Sequence, residues 1–578
     1  MAISWADVSD WEPGPLDSIA ADLEEVSKGL RDAYATGENA LGAIRSEGLA
    51  VTMMRATTRS NLESLEQAST NANGALMAIE GARDGVATIK ARVLDAQAHA
   101  RAKNCTIASD GSVNCTPTDA VDKQAIIDAR TSETMLTEKV KTILEDAERV
   151  DSELSSALSA INSDTYTDGD GADNKVIGVP DFPKSSWTPS QNAAWWKSLP
   201  AERRRFLIEH CPDDIRHLDG LPATVRDEAS RNALYGYVDA YGTKRQGALA
   251  DAKQAFDEAN TAPHVDRDKI IQTRAALKDL EALDAQLQKS EHAPAYLLDF
   301  NYDTKHQRTT AIVASGNPDT ASYVSTLVPG IGTNVRERLG YYMGINDQLR
   351  AQAEHMGVDP NKVSTISYLG YVAPEGPGPK LYQAAMIDYA NEGAPKIARF
   401  MEGLRAHGNA NGHSFTNTLL THSFGSTTGG KAMTQVAKGV VDNLIMCGSP
   451  GSGVQSIDQY NVPKGHVYES SAHLGDMVQD LGFDSSFGRD PKKLEGITHL
   501  SGDVSDTKAN RHLYHNHPNP KFEGTSGSTS PLANHSAYFD HHTRAFRDFT
   551  HVMLSKEPTT DEEWAAIKAA RAKENNGH

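Results

Sequence analysis

Thr421-His422-Ser423-Phe424-Gly425 is the segment with the clearest chemical content. A β-rich run, Asn417–Thr421, leads into it, and a Gly-rich stretch, Gly425 to Gly430, leads out toward a helix. A serine on a tight strand-to-helix turn holds its hydroxyl clear of the backbone and can act as a nucleophile. The helix start that follows adds positive potential where an oxyanion would form. The first position of the Gly-x-Ser-x-Gly pattern is Thr421 rather than Gly, whereas Gly425 is intact. Such a serine needs a base, and the base needs an orienting acid. When the serine sits on this kind of turn, acid and base follow it in that order along the chain. Asp476 lies just past the strand candidate His466–Ser470, where the acid belongs; Asp480 and Asp484 are alternatives, and Asp442 stands at the wrong end of its strand. Among the downstream histidines, His535 has the right place, in a loop ahead of the last helix. One oxyanion donor would be the N–H of Phe424, and the second the N–H of Gly330 or Ile331, in the turn after the strand Ser322–Val328. The chemistry is acyl transfer through a covalent acyl-enzyme.

The same sequence argues against other chemistries. His512, His515 and His517 are close in sequence but lack a nearby Cys and a fixed ligand motif, so no metal is expected. Gly330 and Gly332 lack the third glycine of a dinucleotide loop, so no nicotinamide cofactor is expected. Lys plus Arg is 57 against Asp plus Glu at 77, a formal charge of −20. So acidic a surface repels phosphate backbones and disfavours nucleic-acid binding. No apolar run reaches the roughly 18 residues of a membrane span. Met1 to Pro15 has neither a basic segment nor an apolar one, so no secretory signal peptide is expected.

The elements that must position this chemistry are alternating strands and helices. Strand candidates are Tyr296–Phe300, Thr309–Ala314, Ser322–Val328, Val363–Tyr371, Asn417–Thr421, Val441–Cys447 and His466–Ser470. Helical stretches at Val335–Met356, Ala384–His407, Gly429–Lys438 and His541–Leu554 separate or follow them. This alternation predicts a mostly parallel, doubly wound sheet. The N-terminal part has a different texture. Residues 14–103 have no proline after Pro15 and show helical spacing at Ile19, Leu23, Val26 and Leu30, which predicts two long helices with a break near Gly37 or Gly48. A third long helix is expected over Thr118–Ser163 and a fourth over Leu234–Gln288, weakened near Pro263. Ser109-Asp110-Gly111 reads as a three-residue hairpin loop that sets Cys105 opposite Cys115, close enough for a disulfide and suited to a compartment outside the cytosol. The expected organisation is a long-helix region over 1–165, a linker over 166–190, a helical connector over 191–294, the α/β domain over 295–556 and a tail over 557–578.

Several ordered pieces resemble an actinobacterial α/β-hydrolase family of unknown function. They are Trp195-Trp196, Leu218-Asp219-Gly220-Leu221-Pro222, Leu327-Val328-Pro329-Gly330, Tyr368-Leu369-Gly370-Tyr371, His422-Ser423-Phe424-Gly425-Ser426, Gly448-Ser449-Pro450-Gly451, Gly475-Asp476, and His535-Ser536 with Tyr538-Phe539. The resemblance spans about residues 191–555 and implies an α/β-hydrolase fold with Ser423, Asp476 and His535 as a triad. The chain departs from it at Thr421 and at Met477, where Gly and Pro are usual. The N-terminal helices are similar in architecture to WxG-type secretion partners, without a Trp-x-Gly turn, and Tyr166 to Asp170 matches a Tyr-x-x-x-Asp export signal. The expected function is therefore a serine hydrolase of the esterase, lipase or amidase kind acting on a small-molecule or lipid ester, with no cofactor. It would be exported by a signal-less, type VII-like route or else be cytoplasmic. The rival expectation is an interaction protein of a secretion system that carries an inactive hydrolase scaffold on partner-binding helices, or a secreted toxin.

Overall fold

The computed structural model describes residues 3–45, 48–119, 121–162, 182–262, 264–289, 293–374, 383–472, 476, 478, 487–504 and 535–576. The chain divides into two compact units, one of residues 1–214 with 218–221, the other of 215–217 with 222–578. Residues 191–214 of the expected connector thus belong to the first unit and 222–294 to the second.

The first unit is built on three long helices, Gly14–Ala43, Leu49–Ala102 and Lys123–Asn162. The break between the first two falls at Gly48, whose φ of 130° is open to glycine but strained for other residues. Ile89, Val93, Leu136, Val140, Ile143 and Ala147 form a buried seam between the second and third helices. The buried carboxylate of Asp95 pairs with Lys139, and the half-buried Arg92 pairs with Asp146. Strands β1 (Cys105–Ile107) and β2 (Val113–Cys115) form the hairpin between these two helices, with Cys105 directly opposite Cys115 and Gly111 at φ 89° in the turn. A disulfide joins the two cysteines. By loop-closure entropy a bond across so short a loop contributes on the order of 3 kcal/mol.

The second unit opens with the helix Ala223–Tyr235 and then departs from expectation. In place of a helix continuing from Leu234, a hairpin forms from β3 (Gly236–Val238) and β4 (Lys244–Gln246). The reason is local. The Asp239 carboxylate accepts the N–H groups of Tyr241 and Thr243 and closes the turn, and Gly236 and Gly242 take positive φ. Helices Ala248–Thr261 and Arg267–Gln288 follow; the second starts at Asp266, whose side chain caps the Lys269 N–H.

The sheet contains β5 (Ala295–Asp303), β6 (Arg308–Ser315), β7 (Tyr323–Val328), β8 (Val363–Leu369), β9 (Thr416–His422), β10 (Asn443–Cys447), β11 (Val467–Ser470) and β12 (Thr498–His499). Their spatial order is β12-β11-β10-β9-β7-β8-β6-β5. β6 runs antiparallel to both β5 and β8, and the other pairs are parallel. Both faces are buried, as parallel sheets require. Leu419, Leu444 and Met446 enter one apolar core, and Leu420, Ile445 and Cys447 enter the other. Side chains alternate between faces along a strand, so adjacent residues of β9 serve opposite cores. Of the sheet's strands, β12 is the one not expected from sequence. The helix expected at Gly429–Lys438 instead spans Phe424–Met433 and begins directly after Ser423.

Candidate active site

Ser423 stands between the end of β9 and the helix Phe424–Met433, with φ 57° and ψ −134°. A non-glycine residue rarely adopts such a backbone, and holding it costs about 1–3 kcal/mol that the surroundings must supply. The Ser423 N–H donates to the Cys447 carbonyl at 3.0 Å, which ties the turn to the end of β10, and the Ser423 carbonyl accepts from the Ser426 N–H at 2.9 Å. Gly425 is required because a Cβ there would lie 2.5 Å from the Val328 carbonyl oxygen. The threonine in the pattern's first position is accommodated by Gly429, whose Cβ would meet the Thr421 methyl at 2.6 Å. The Thr421 hydroxyl donates to the Ile445 carbonyl at 2.9 Å. The bulk that replaces the usual glycine is therefore absorbed at Gly429, six residues beyond the serine.

The turn after β7 approaches the same serine. A Cβ on Gly330 would lie 3.0 Å from both Ser423 Oγ and the Phe424 nitrogen. The space beside the hydroxyl and the Phe424 N–H thus exists because residue 330 has no side chain. The Phe424 N–H is the first orphan donor of its helix. The turn is fixed by the Tyr371 hydroxyl, which donates to the Pro329 carbonyl at 2.6 Å, and by the Thr333 hydroxyl, which donates to the Gly330 carbonyl at 2.7 Å. Gly330→Ala is expected to place a methyl group where an oxyanion would sit. Any acyl transfer at Ser423 should then fall by about 10²–10³-fold, the effect of losing an oxyanion donor. The check is kcat/KM beside a thermal melt; a variant that melts like wild type and turns over like it would contradict this geometry.

Asp476 and His535 are brought together, with His535 Nδ1 at 2.8 Å from Asp476 Oδ1 and 3.0 Å from Oδ2. The Asp476 side chain has no exposed surface, and the His535 side chain is 15% exposed. The Tyr538 hydroxyl donates to Asp476 Oδ2 at 3.0 Å and accepts the Ala472 N–H at 2.8 Å; the Val478 N–H donates to Asp476 Oδ1 at 3.0 Å. Burial by itself would raise the Asp476 pKa, but the hydrogen bonds and charge of His535, with those from Val478 and Tyr538, outweigh it and hold the carboxyl below its ordinary value. Gly448, at φ 55°, makes room for the pair, since a Cβ there would lie 2.9 Å from Asp476 Oδ2 and 3.2 Å from His535 Nδ1. The end of β10 therefore touches Ser423 through Cys447 and the Asp476–His535 pair through Gly448.

Tyr538→Phe is expected to raise the folded-state pKa of Asp476 by removing one donor. A depressed carboxylate pKa contributes stability that is present above the unfolded value and lost as pH falls through the folded one. The variant should therefore be less stable than wild type near neutrality, by about 1–2 kcal/mol for the lost hydrogen bond. The gap should narrow as pH falls through the folded pKa of Asp476, as read by denaturant melts across pH. A gap that does not change with pH would contradict the assignment.

Other sequence candidates fall elsewhere. Asp442 accepts from Arg405 at 2.7 Å and from the Asn417 N–H at 2.7 Å, an ion pair at the far end of the strands. Asp480, Asp484, His512, His515, His517 and Tyr166–Asp170 lie outside the described residues. His499 pairs with Glu469, and His551 bonds the Glu557 carbonyl. Among the described residues, Asp540, His541 and His542 carry possible metal-ligand atoms within 4.8 Å of one another. Sequence reasoning assigned no role to Tyr538, Gly448 or His422, although each lies within a segment of the family resemblance.

Residues 303–483 match a family model described as alpha/beta hydrolase. This segment has the α/β-hydrolase fold and is similar to that family over less than a third of the chain. The match includes Gly330, Ser423 and Asp476 and ends before His535. The chain is also similar to uncharacterized proteins from two strains of Mycobacterium tuberculosis, each 27% identical over 353 residues, covering 57% of this chain and 51% of the relative. It thus spans about half the length of the curated relatives it matches. These similarities agree with the actinobacterial hydrolase resemblance and place the α/β-hydrolase domain beside relatives of unknown activity. Among the described residues, no helix is long and apolar enough to cross a membrane.

Proposed function

We propose that this protein is a serine hydrolase that cleaves ester or amide bonds through an acyl-enzyme. The observation that carries the reading is that the end of β10 touches a backbone-strained Ser423 on one side and a hydrogen-bonded Asp476–His535 pair on the other. With His535 Nδ1 bonded to the acid, its Nε2 is the atom left to take the Ser423 proton. Ser423 Oγ then attacks the carbonyl carbon. The N–H of Phe424 and an N–H of the Gly330–Ile331 turn receive the oxyanion. The charged imidazole, stabilised by Asp476, gives its proton to the leaving group. The neutral base then takes a proton from water, and the hydroxide attacks the acyl carbon. As the bond to Ser423 Oγ breaks, the imidazole returns that proton to Oγ and the acid leaves. No step calls for a cofactor. A p-nitrophenyl ester should give a burst of p-nitrophenol equal to the enzyme concentration, followed by slower turnover. Neither burst nor turnover with several acyl chains would count against the reading.

A second role concerns the long helices. Ile19, Val26, Met53 and Met54 are exposed apolar residues on the first two helices, which offers apolar surface to a partner helix on that unit. The site's geometry favours catalysis over an inactive scaffold, because a dead scaffold gains nothing from the strain held at Ser423.

A further inference from the structure

We infer that His422 is a positioning residue: its imidazole Nε2–H holds the backbone carbonyl of His535, so that the strand ending in the nucleophile also sets the position of the base. This rests on the serine-hydrolase reading and extends it to a residue outside the triad.

His422 Nε2 lies 2.8 Å from the His535 carbonyl oxygen. A carbonyl only accepts, so the proton of this imidazole is on Nε2. The two rings are 4.6 Å apart, and the His422 ring also meets Phe539 at 5.1 Å and Tyr538 at 6.2 Å. Side chains alternate along β9, so His422 shares the face of Leu420, whose core also contains Ala537, Tyr538 and Phe539. Burial, and then the charge of neighbouring His535, push its pKa down to about 3, and the ring stays neutral in any ordinary assay. His422 Nδ1 is buried with no hydrogen-bond partner among the described residues. An orphaned buried acceptor is a cost that an apolar side chain of similar size would avoid. What the imidazole supplies and an apolar ring cannot is the N–H to His535. Residue 422 immediately precedes Ser423, whereas His535 is 113 residues away from it in sequence. The bond therefore refers nucleophile and base to one rigid strand.

The test uses the full-length protein and a fluorophosphonate probe, with the inactivation rate constant and the apparent KI measured separately. His422→Gln carries an amide N–H to nearly the position of Nε2; His422→Asn, equally polar, is too short to reach it. His422→Phe fills the space and has no donor. The Asn and Phe variants should lose about 10–10²-fold in the inactivation rate constant, as a misplaced base would. Their apparent KI should stay near wild type, and the Gln variant should recover most of the rate. Equal rates for the Gln and Asn variants would overturn the inference, as would a folded Phe variant that labels like wild type. Should the Phe variant fail to fold, the Gln–Asn comparison decides alone. Ser423→Ala is run beside them. A wild type that takes no label, or a Ser423→Ala variant that does, removes the serine-hydrolase reading and this inference with it. Label at Ser423 with no difference among the His422 variants removes the inference alone.

Discussion

Ser423→Ala is expected to reduce ester turnover by about 10⁶-fold, the loss seen when the nucleophile of a serine triad is removed. The residual rate over water would come from the oxyanion donors and substrate binding. Alanine lacks the hydroxyl but is close in size, and Ser423 contributes its N–H to Cys447 through the backbone, so the fold should survive. The melting temperature should hold or rise slightly. A positive φ is no easier for alanine than for serine, and the strain at this turn remains. Steady-state hydrolysis of p-nitrophenyl acetate beside a thermal melt checks both parts. A variant that turns over within about tenfold of wild type would assign the chemistry to another residue, since a nucleophile cannot be lost so cheaply.

Asp476→Asn should cost about 10⁴-fold in kcat, because an amide can present its N–H to His535 Nδ1 and stabilise the wrong tautomer. The Tyr538 hydroxyl and the Val478 N–H would also face an amide in place of a carboxylate. Asp476→Ala leaves His535 without a tautomer-selecting partner and is expected to be less damaging than Asn only if water enters the vacated space. The measurement is kcat across pH for the Asn variant. Recovery of rate at high pH, where hydroxide can take the Ser423 proton in place of the imidazole, would agree with the assignment. An Asn variant with wild-type kcat at neutral pH would remove Asp476 from the mechanism.

How much of this was legible in the sequence depends on how local each feature is. Thr421-His422-Ser423-Phe424-Gly425 carried its own signal, because a strand, a small-residue turn and a helix start lie within a few residues. The strands from β5 to β11 were legible as β-branched and apolar runs buried on both faces. β12 was not, because two residues, Thr498 and His499, carry no periodicity. The β3–β4 hairpin was hidden by helix-forming neighbours on both sides, and the decisive feature, Asp239 closing a turn onto Tyr241 and Thr243, reads in sequence like any solvated acid. The start of the helix after Ser423 was placed late because Gly425-Ser426-Thr427-Thr428-Gly429-Gly430 has poor helix propensity. Packing overrides it: Gly425 and Gly429 are small because β7 and Thr421 press against them. The pairing of Asp476 with His535 was expected from chain order, whereas the Tyr538–Asp476 and His422–His535 contacts depend on approaches across 62 and 113 residues that no local pattern announces.

The central claim is that one activated serine, Ser423, depends on His535. The most direct measurement is the intact mass of the full-length protein after incubation with a fluorophosphonate probe, for wild type, Ser423→Ala and His535→Ala. The account predicts a single adduct on wild type and none on either variant. An adduct of equal yield on Ser423→Ala, or a wild type that stays unmodified, would contradict it.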